Sequence, residues 1–317
     1  MLTRFISLLG LFFFLLIAVD LTAQIQVVGQ PKLLIEGQGN HFMYPVWSPD
    51  GESFAFTAGQ FRGIWVADKD GQNIRQLTDQ SAGYRFSWTS DSKAILAKVT
   101  ETVDRRKQSA LMLYDKDNQS RHQLTDFTSR QPAIPQWVPL EDKMIMVFGN
   151  KIELLEAGKG AIPRNLRSAE IPGLEEAQFL VDGQSRRENA VDVSPFDDAF
   201  YLNPQISPDG QKIAFEIYGG NLYVMNIDGT RLTDLGPGHR PQWSPDSRYI
   251  LVNQTTDDGH DITSADIIAF SLDGKEKINL TSNTSLIAMN PSWSPDDKSI
   301  LFNDPSNGNI YILEISR

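Results

Sequence analysis

Pro45-Val46-Trp47-Ser48-Pro49-Asp50-Gly51 is the stretch that decides the fold, because the chain carries it six times in graded form. The other copies are Phe86-Ser87-Trp88-Thr89-Ser90-Asp91-Ser92, Pro135-Gln136-Trp137-Val138-Pro139, Pro204-Gln205-Ile206-Ser207-Pro208-Asp209-Gly210, Pro241-Gln242-Trp243-Ser244-Pro245-Asp246-Ser247 and Pro291-Ser292-Trp293-Ser294-Pro295-Asp296-Asp297. Successive copies mostly fall ~40–50 residues apart, the length of one four-stranded propeller blade. Only the step from Trp137 to Ile206 is clearly longer.

Each copy reads as a strand ending in a tight turn. Ser opens a type I turn, Pro presets φ at the second position, and Asp and Gly complete it. Turn chemistry therefore accounts for Asp50, Asp209, Asp246 and Asp296 without a catalytic role. A second, nearly continuous apolar run follows each copy, as in Ser53-Phe54-Ala55-Phe56, Lys212-Ile213-Ala214-Phe215 and Ser299-Ile300-Leu301-Phe302. Such runs suit strands buried on both faces. Third runs, such as Ile64 to Asp68 and Leu222 to Asn226, lead through polar turns to fourth strands ending Gln76-Leu77-Thr78, Gln123-Leu124-Thr125, Arg231-Leu232-Thr233 or Asn279-Leu280-Thr281.

The sixth repeat reaches Arg317 directly after its third strand, while Pro31-Lys32-Leu33-Leu34-Ile35 precedes the first signature without a blade of its own. An N-terminal strand can fill the empty outer position and hide the open edge. The reading is an all-β chain forming a single six-bladed β-propeller of four-stranded blades over residues 31–317. Its last blade is closed by pairing Leu33–Ile35 with Ile310–Ile315. The stretch 167–203 is an insertion, read as an ordered excursion over the ring, with a mobile loop and a disguised extra blade as the alternatives.

Bulk properties narrow the function. A net charge of −11 on 317 residues argues against a nucleic-acid partner. With no cysteine, disulfides, thiolate metal sites and thiol nucleophiles are excluded. Arg4, the apolar run from Ile6 to Val19 and the small residue Ala23 form a signal peptide over residues 1–23. The run is shorter than the ~20 residues of a spanning helix. Export to the periplasm or outside the cell, with no membrane insertion after cleavage, is expected.

The repeated Pro-x-Trp-Ser-Pro-Asp-Gly, followed by apolar strands and a closing Leu-Thr, resembles the repeat of the TolB β-propeller family from about Leu33 onward. That resemblance implies a six-bladed propeller of the periplasm or cell surface, acting as a protein-binding component of the envelope. The N-terminal α/β domain of the family prototype has no counterpart between the leader and the first signature. The repeat also resembles the propeller of prolyl-oligopeptidase-type peptidases, whose hydrolase domain is not seen here.

Among enzyme signatures, no nucleophile elbow, His-Glu-x-x-His pair, phosphate-binding loop or calcium loop occurs. In a propeller, the segments just before the inner strands converge on the mouth of the central channel. They bring together His41, Tyr44, Tyr84, Arg85, Asn203, His239, Arg240 and Asn290. Two arginines there can hold a carboxylate. Asp257, Asp258, His260 and Asp261 read as a solvated acidic hairpin, since their spacing fits no cation loop. The expected function is a non-catalytic protein- or peptide-binding module of the cell envelope, needing neither metal nor cofactor, with a small anion as a further ligand. The alternatives are a carbohydrate- or anion-acting lyase or hydrolase using His41, His239, Arg85 and Arg240, and a purely structural envelope module.

Overall fold

The computed structural model describes residues 24–118, 120–129, 134–138, 143–156 and 190–317. Six antiparallel four-stranded sheets follow one another along the chain. Blade 1 comprises Met43–Trp47, Ser53–Ala58, Arg62–Asp68 and Arg75–Ser81, and blade 2 Ser87–Trp88, Ala94–Val103, Arg106–Asp115 and Arg121–Gln123. Blade 3 comprises Gln136–Trp137, Lys143–Phe148, Lys151–Glu156 and Val191–Asp192, and blade 4 Tyr201–Ile206, Lys212–Ile217, Leu222–Asn226 and Thr233–Gly236. Blade 5 comprises His239–Trp243, Tyr249–Asp257, Ile262–Ser271 and Lys277–Asn279. Blade 6 takes Met289–Trp293, Ser299–Asp304 and Asn309–Ser316 from the end of the chain and Gln26–Ile35 from its beginning.

The anticipated closing pairing is present, with Leu33 opposite Tyr311 and Ile35 opposite Ile310. It extends further than the sequence suggested, to Gln26 opposite Ser316, with an irregularity between Val28 and Lys32. Packing confirms a ring. Six apolar clusters lie one at each junction between neighbouring blades, including Trp47, Phe54 and Phe56 against Leu301 and Ile310 where blade 6 meets blade 1. A six-unit open array would have one junction fewer. The second strands supply most of the large fully buried side chains, Phe54, Phe56, Phe215 and Phe302 among them, which is why their sequences are almost continuously apolar.

The Ser-Pro-Asp turns behave as their chemistry dictates. The Gly51 N–H donates to Ser48 O at 2.9 Å. Ser48 Oγ donates to Asp50 Oδ1 at 2.6 Å and accepts the Ser53 N–H at 3.1 Å. Ser207 with Asp209, Ser244 with Asp246 and Ser294 with Asp296 repeat the first of these bonds, and Thr89 with Asp91 substitutes for it. The Asp carboxylates are thus turn elements.

Two details depart from the sequence reading. The outer strand of blade 4 begins at Thr233, and Arg231 sits in the preceding turn with φ of 55°. Val191–Asp192, inside the stretch 167–203, is the outer strand of blade 3. The excursion expected over 167–203 otherwise lies largely outside the described residues, and the stretch 1–23, expected to be a signal peptide, lies wholly outside them.

Candidate functional site at the channel mouth

Four inner strands open with the same irregularity. Pairing slips between Met43 and Val46, Leu202 and Gln205, His239 and Gln242, and Met289 and Ser292. At these slips Tyr44, Asn203, Arg240 and Asn290 take positive φ, at 59°, 48°, 56° and 54°, each immediately before a proline. Arg85, before Phe86, does the same at 57°. A non-glycine residue with positive φ is uncommon, and five in equivalent positions form one built feature. Each bulge re-aims one side chain toward the axis.

The side chains so aimed form a chain of hydrogen bonds. Arg85 Nη2 donates to Asn203 Oδ1 at 2.5 Å, and Asn203 Nδ2 donates to Glu216 Oε1 at 2.6 Å. The Arg240 N–H also donates to Glu216 Oε1, and His239 Nδ1 meets Glu216 Oε2 at 3.1 Å. Arg240 Nη1 donates to Asn290 Oδ1 at 2.5 Å, and Asn290 Nδ2 donates to Asn303 Oδ1 at 2.7 Å. The Tyr44 N–H closes on the same Asn303 oxygen at 3.2 Å. The Arg240 guanidinium stands 5.3 Å from the Tyr44 ring centroid, and that of Arg85 stands 5.4 Å from Tyr84.

Glu216 and Asn303 are residues that reading the sequence missed. Each is the third residue beyond the second-strand partner of the signature Ile or Trp, and each accepts the bulge N–H of the next blade. Thr57, Lys98 and Asn253 occupy the same position in blades 1, 2 and 5. The signal was present as a single polar residue ending an apolar run, as in Ile213-Ala214-Phe215-Glu216 and Ile300-Leu301-Phe302-Asn303.

Electrostatics follow from this arrangement. The bond to Glu216 holds His239 above its ordinary value of 6.5. Burial pushes the Tyr44 hydroxyl up, against the opposing pull of Arg240 and Arg85. Burial, aided by the charge of Arg85, pulls the Lys98 ammonium down.

A cavity of about 80 Å³ opens among Tyr44, Tyr84, Arg85, Leu202, Asn203 and Arg240. Beneath it the channel widens to about 400 Å³ between apolar walls that include Val46, Trp47, Trp88, Ile145, Val147 and Trp293. Five of the eight anticipated residues therefore line one cavity. Asn290 is buried beside it and anchors Arg240. His239 flanks it through Glu216. His41 stands elsewhere, with its backbone against Gly308 and its Cβ beside Gly59 where blades 6 and 1 meet. His41 thus belongs to the junction of blades 6 and 1 and His239 to blade 5, and among the described residues no three metal-ligating side chains cluster. Asp257 and Asp258 cap their own hairpin, accepting the backbone N–H groups of Gly259, His260 and Asp261.

No protein-family model matches the sequence, and no curated protein does either. The fold itself is shared with solved propellers. A TolB from Agrobacterium tumefaciens aligns at a TM-score of 0.54 and 14% identity over 87% of this chain and 90% of its own. TolB from Acinetobacter baumannii aligns at 0.51 and 15%, covering 86% of this chain and 63% of that one. An oligogalacturonate lyase in complex with manganese aligns at 0.50 and 13%, over 86% and 77%. At such identities the likeness establishes the six-bladed propeller fold and nothing about family or chemistry. Among the described residues no helix is long and apolar enough to cross a membrane.

Proposed function

We propose that this chain is an exported propeller that binds a protein or peptide of the cell envelope across its mouth face, without catalysis. The observation that carries this reading is the placement of exposed aromatic surface. Inner strands run from the mouth to the Ser-Pro-Asp turns and second strands return, so inner-strand starts and the turns after second strands share the mouth face. Among the described residues, the four strongly exposed aromatics, Tyr84, Phe148, Phe200 and Tyr218, all lie on that face. Phe200 is 64% exposed and Tyr218 74%, and the two are adjacent, with the Tyr218 N–H on Phe200 O at 2.9 Å. Phe61 packs edge-on to Tyr84 at 5.0 Å and extends the collar. Aromatic anchors around a cavity are the composition of a protein-binding hot spot.

Peptide selection on the immobilised propeller tests this. Selected peptides should bind in the micromolar range and lose about tenfold or more in affinity with Phe200→Ala or Tyr218→Ala, as hot-spot aromatics do. Selection of no specific peptide, or peptides indifferent to both changes, would refute the reading. Export is checked separately by the mass of the mature protein, which should begin near Gln24.

A further inference from the structure

We infer that the small cavity at the mouth is a carboxylate site, in which Arg85 and Arg240 receive one acidic group of the docked segment. This deepens the proposed function and rests on it for the source of the carboxylate. The argument begins with what holds the two arginines. Among the described residues neither guanidinium pairs with a carboxylate; Arg85 is held by the amide oxygen of Asn203 and Arg240 by that of Asn290. A neutral oxygen fixes a guanidinium in place without cancelling its charge. Each arginine engages one of its five donors in that bond, and both line the cavity.

The surroundings strengthen the field. Arg85 and Arg240 stand over the rings of Tyr84 and Tyr44, contacts that position the two guanidiniums without cancelling their charge. Lys98, half-buried in blade 2, has its ammonium destabilised first by burial and then by the charge of Arg85, which adds a further cation near the cluster. The one carboxylate built into the cluster, Glu216, is spent on Asn203, His239 and the Arg240 backbone. A concentration of cations on a chain of net charge −11 marks a local purpose. The cavity volume of about 80 Å³ fits a carboxylate with its adjoining methylene. The planar Arg fork matches that group bidentately.

Small probes test the site without the partner. The arginine Nε–H resonances of the purified protein are followed by NMR during titration with sodium acetate, acetamide and inorganic phosphate at constant ionic strength. Acetate should move two arginine signals saturably, and these should be absent in Arg85→Lys and Arg240→Lys. Acetamide, of the same shape without charge, should bind at least about tenfold more weakly. No saturable response to acetate, an equal response to acetamide, or saturation by phosphate alone would overturn the inference. A second arm uses the selected peptides, with each Asp or Glu replaced by its amide and with the C-terminus amidated, which distinguishes a side-chain from a terminal source. If peptides bind through the aromatic collar while acetate fails, only the carboxylate site is lost. If acetate binds while no peptide is selected, the site stands and the partner class falls.

Discussion

Glu216→Ala removes the carboxylate that ties Asn203, His239 and the Arg240 backbone together across blades 4 and 5. A hydrogen bond to a charged group contributes ~1.5–3 kcal/mol, and a buried donor left alone costs ~1–3 kcal/mol. Adding all of these would overstate the loss, because the His239 side chain is 54% exposed and water reaches the mouth. Counting only the bonds from Asn203 and the Arg240 N–H at the low end predicts a loss of about 3 kcal/mol. At about 2 °C per kcal/mol for a chain of this size, Tm falls by about 6 °C. Glu216→Gln keeps an acceptor oxygen for both donors but loses the charge, and should show about half that fall.

The same pair carries a pH signature whose sign is fixed by linkage. The bond to Glu216 raises the folded pKa of His239 above 6.5, so its contribution is complete below that value and disappears as pH rises through the folded pKa. The Tm difference between wild type and Glu216→Gln should therefore be larger at pH 6 than at pH 8. Circular dichroism melts at both pH values provide the measurement. If Glu216→Ala melts within about 1 °C of wild type, or if the difference does not change with pH, the clamp does not act as described.

Three further outcomes are expected. Arg317 is 13% exposed, pairs with Asp246 and Asp297 at 2.5 and 2.6 Å, and stacks 4.8 Å from Trp293. Its change to Ala should lower Tm by about 4 °C, from ~2 kcal/mol of lost ion pairing and cation–π contact; full rescue by Lys would show that stacking and the planar fork contribute nothing. A Cβ at Gly83 would stand 1.9 Å from Thr57 Oγ1 and 2.4 Å from Thr57 Cβ, so Gly83→Ala should cost at least ~2 kcal/mol or solubility. Adding Thr57→Gly, which removes both clashing atoms, should recover part of that loss in soluble yield, and no recovery would point to a different cause. Deleting residues 24–35 exposes the edge of Asn309–Ser316, and gel filtration should show self-association; a monomer of unchanged Tm would contradict closure by this strand.

The fold was legible because turn chemistry and burial agree in every well-kept repeat. Blade 3 was the exception, and for physical reasons. Its signature lacks the Asp of the turn, and its third strand, Lys151–Glu156, carries charge at Lys151, Glu153 and Glu156, which breaks the apolar run. Its outer strand is two residues long and follows after residue 189. The mouth residues could be proposed from their place before the inner strands alone. Which of them share a cavity depended on blade-to-blade geometry, and that is where His41 separated from the rest. Glu216 and Asn303 went unrecognised because a polar residue at the end of an apolar strand has no meaning until pairing register sets it against the next blade's bulge.

Those bulges also explain how a repeated scaffold acquires a particular chemistry. A residue before proline is restricted to extended backbone, and positive φ outside glycine costs ~1–3 kcal/mol. The chain accepts this at Tyr44, Asn203, Arg240 and Asn290, and tolerates positive φ at Arg85 as well. Nothing about closing the ring requires it, since the Ser-Pro-Asp end places its own positive φ in turns, at Gly51 and Gly210. The strain gathers where side chains face the axis, and the hydrogen bonds from Tyr44 and Arg240 N–H groups to Asn303 and Glu216 offset it locally. The positive φ recurs in five of the six blades while the residue that adopts it changes from Tyr to Arg to Asn. On the proposed reading of the cavity as a carboxylate site, exchanging Arg85 and Arg240 should abolish acetate binding without changing the propeller.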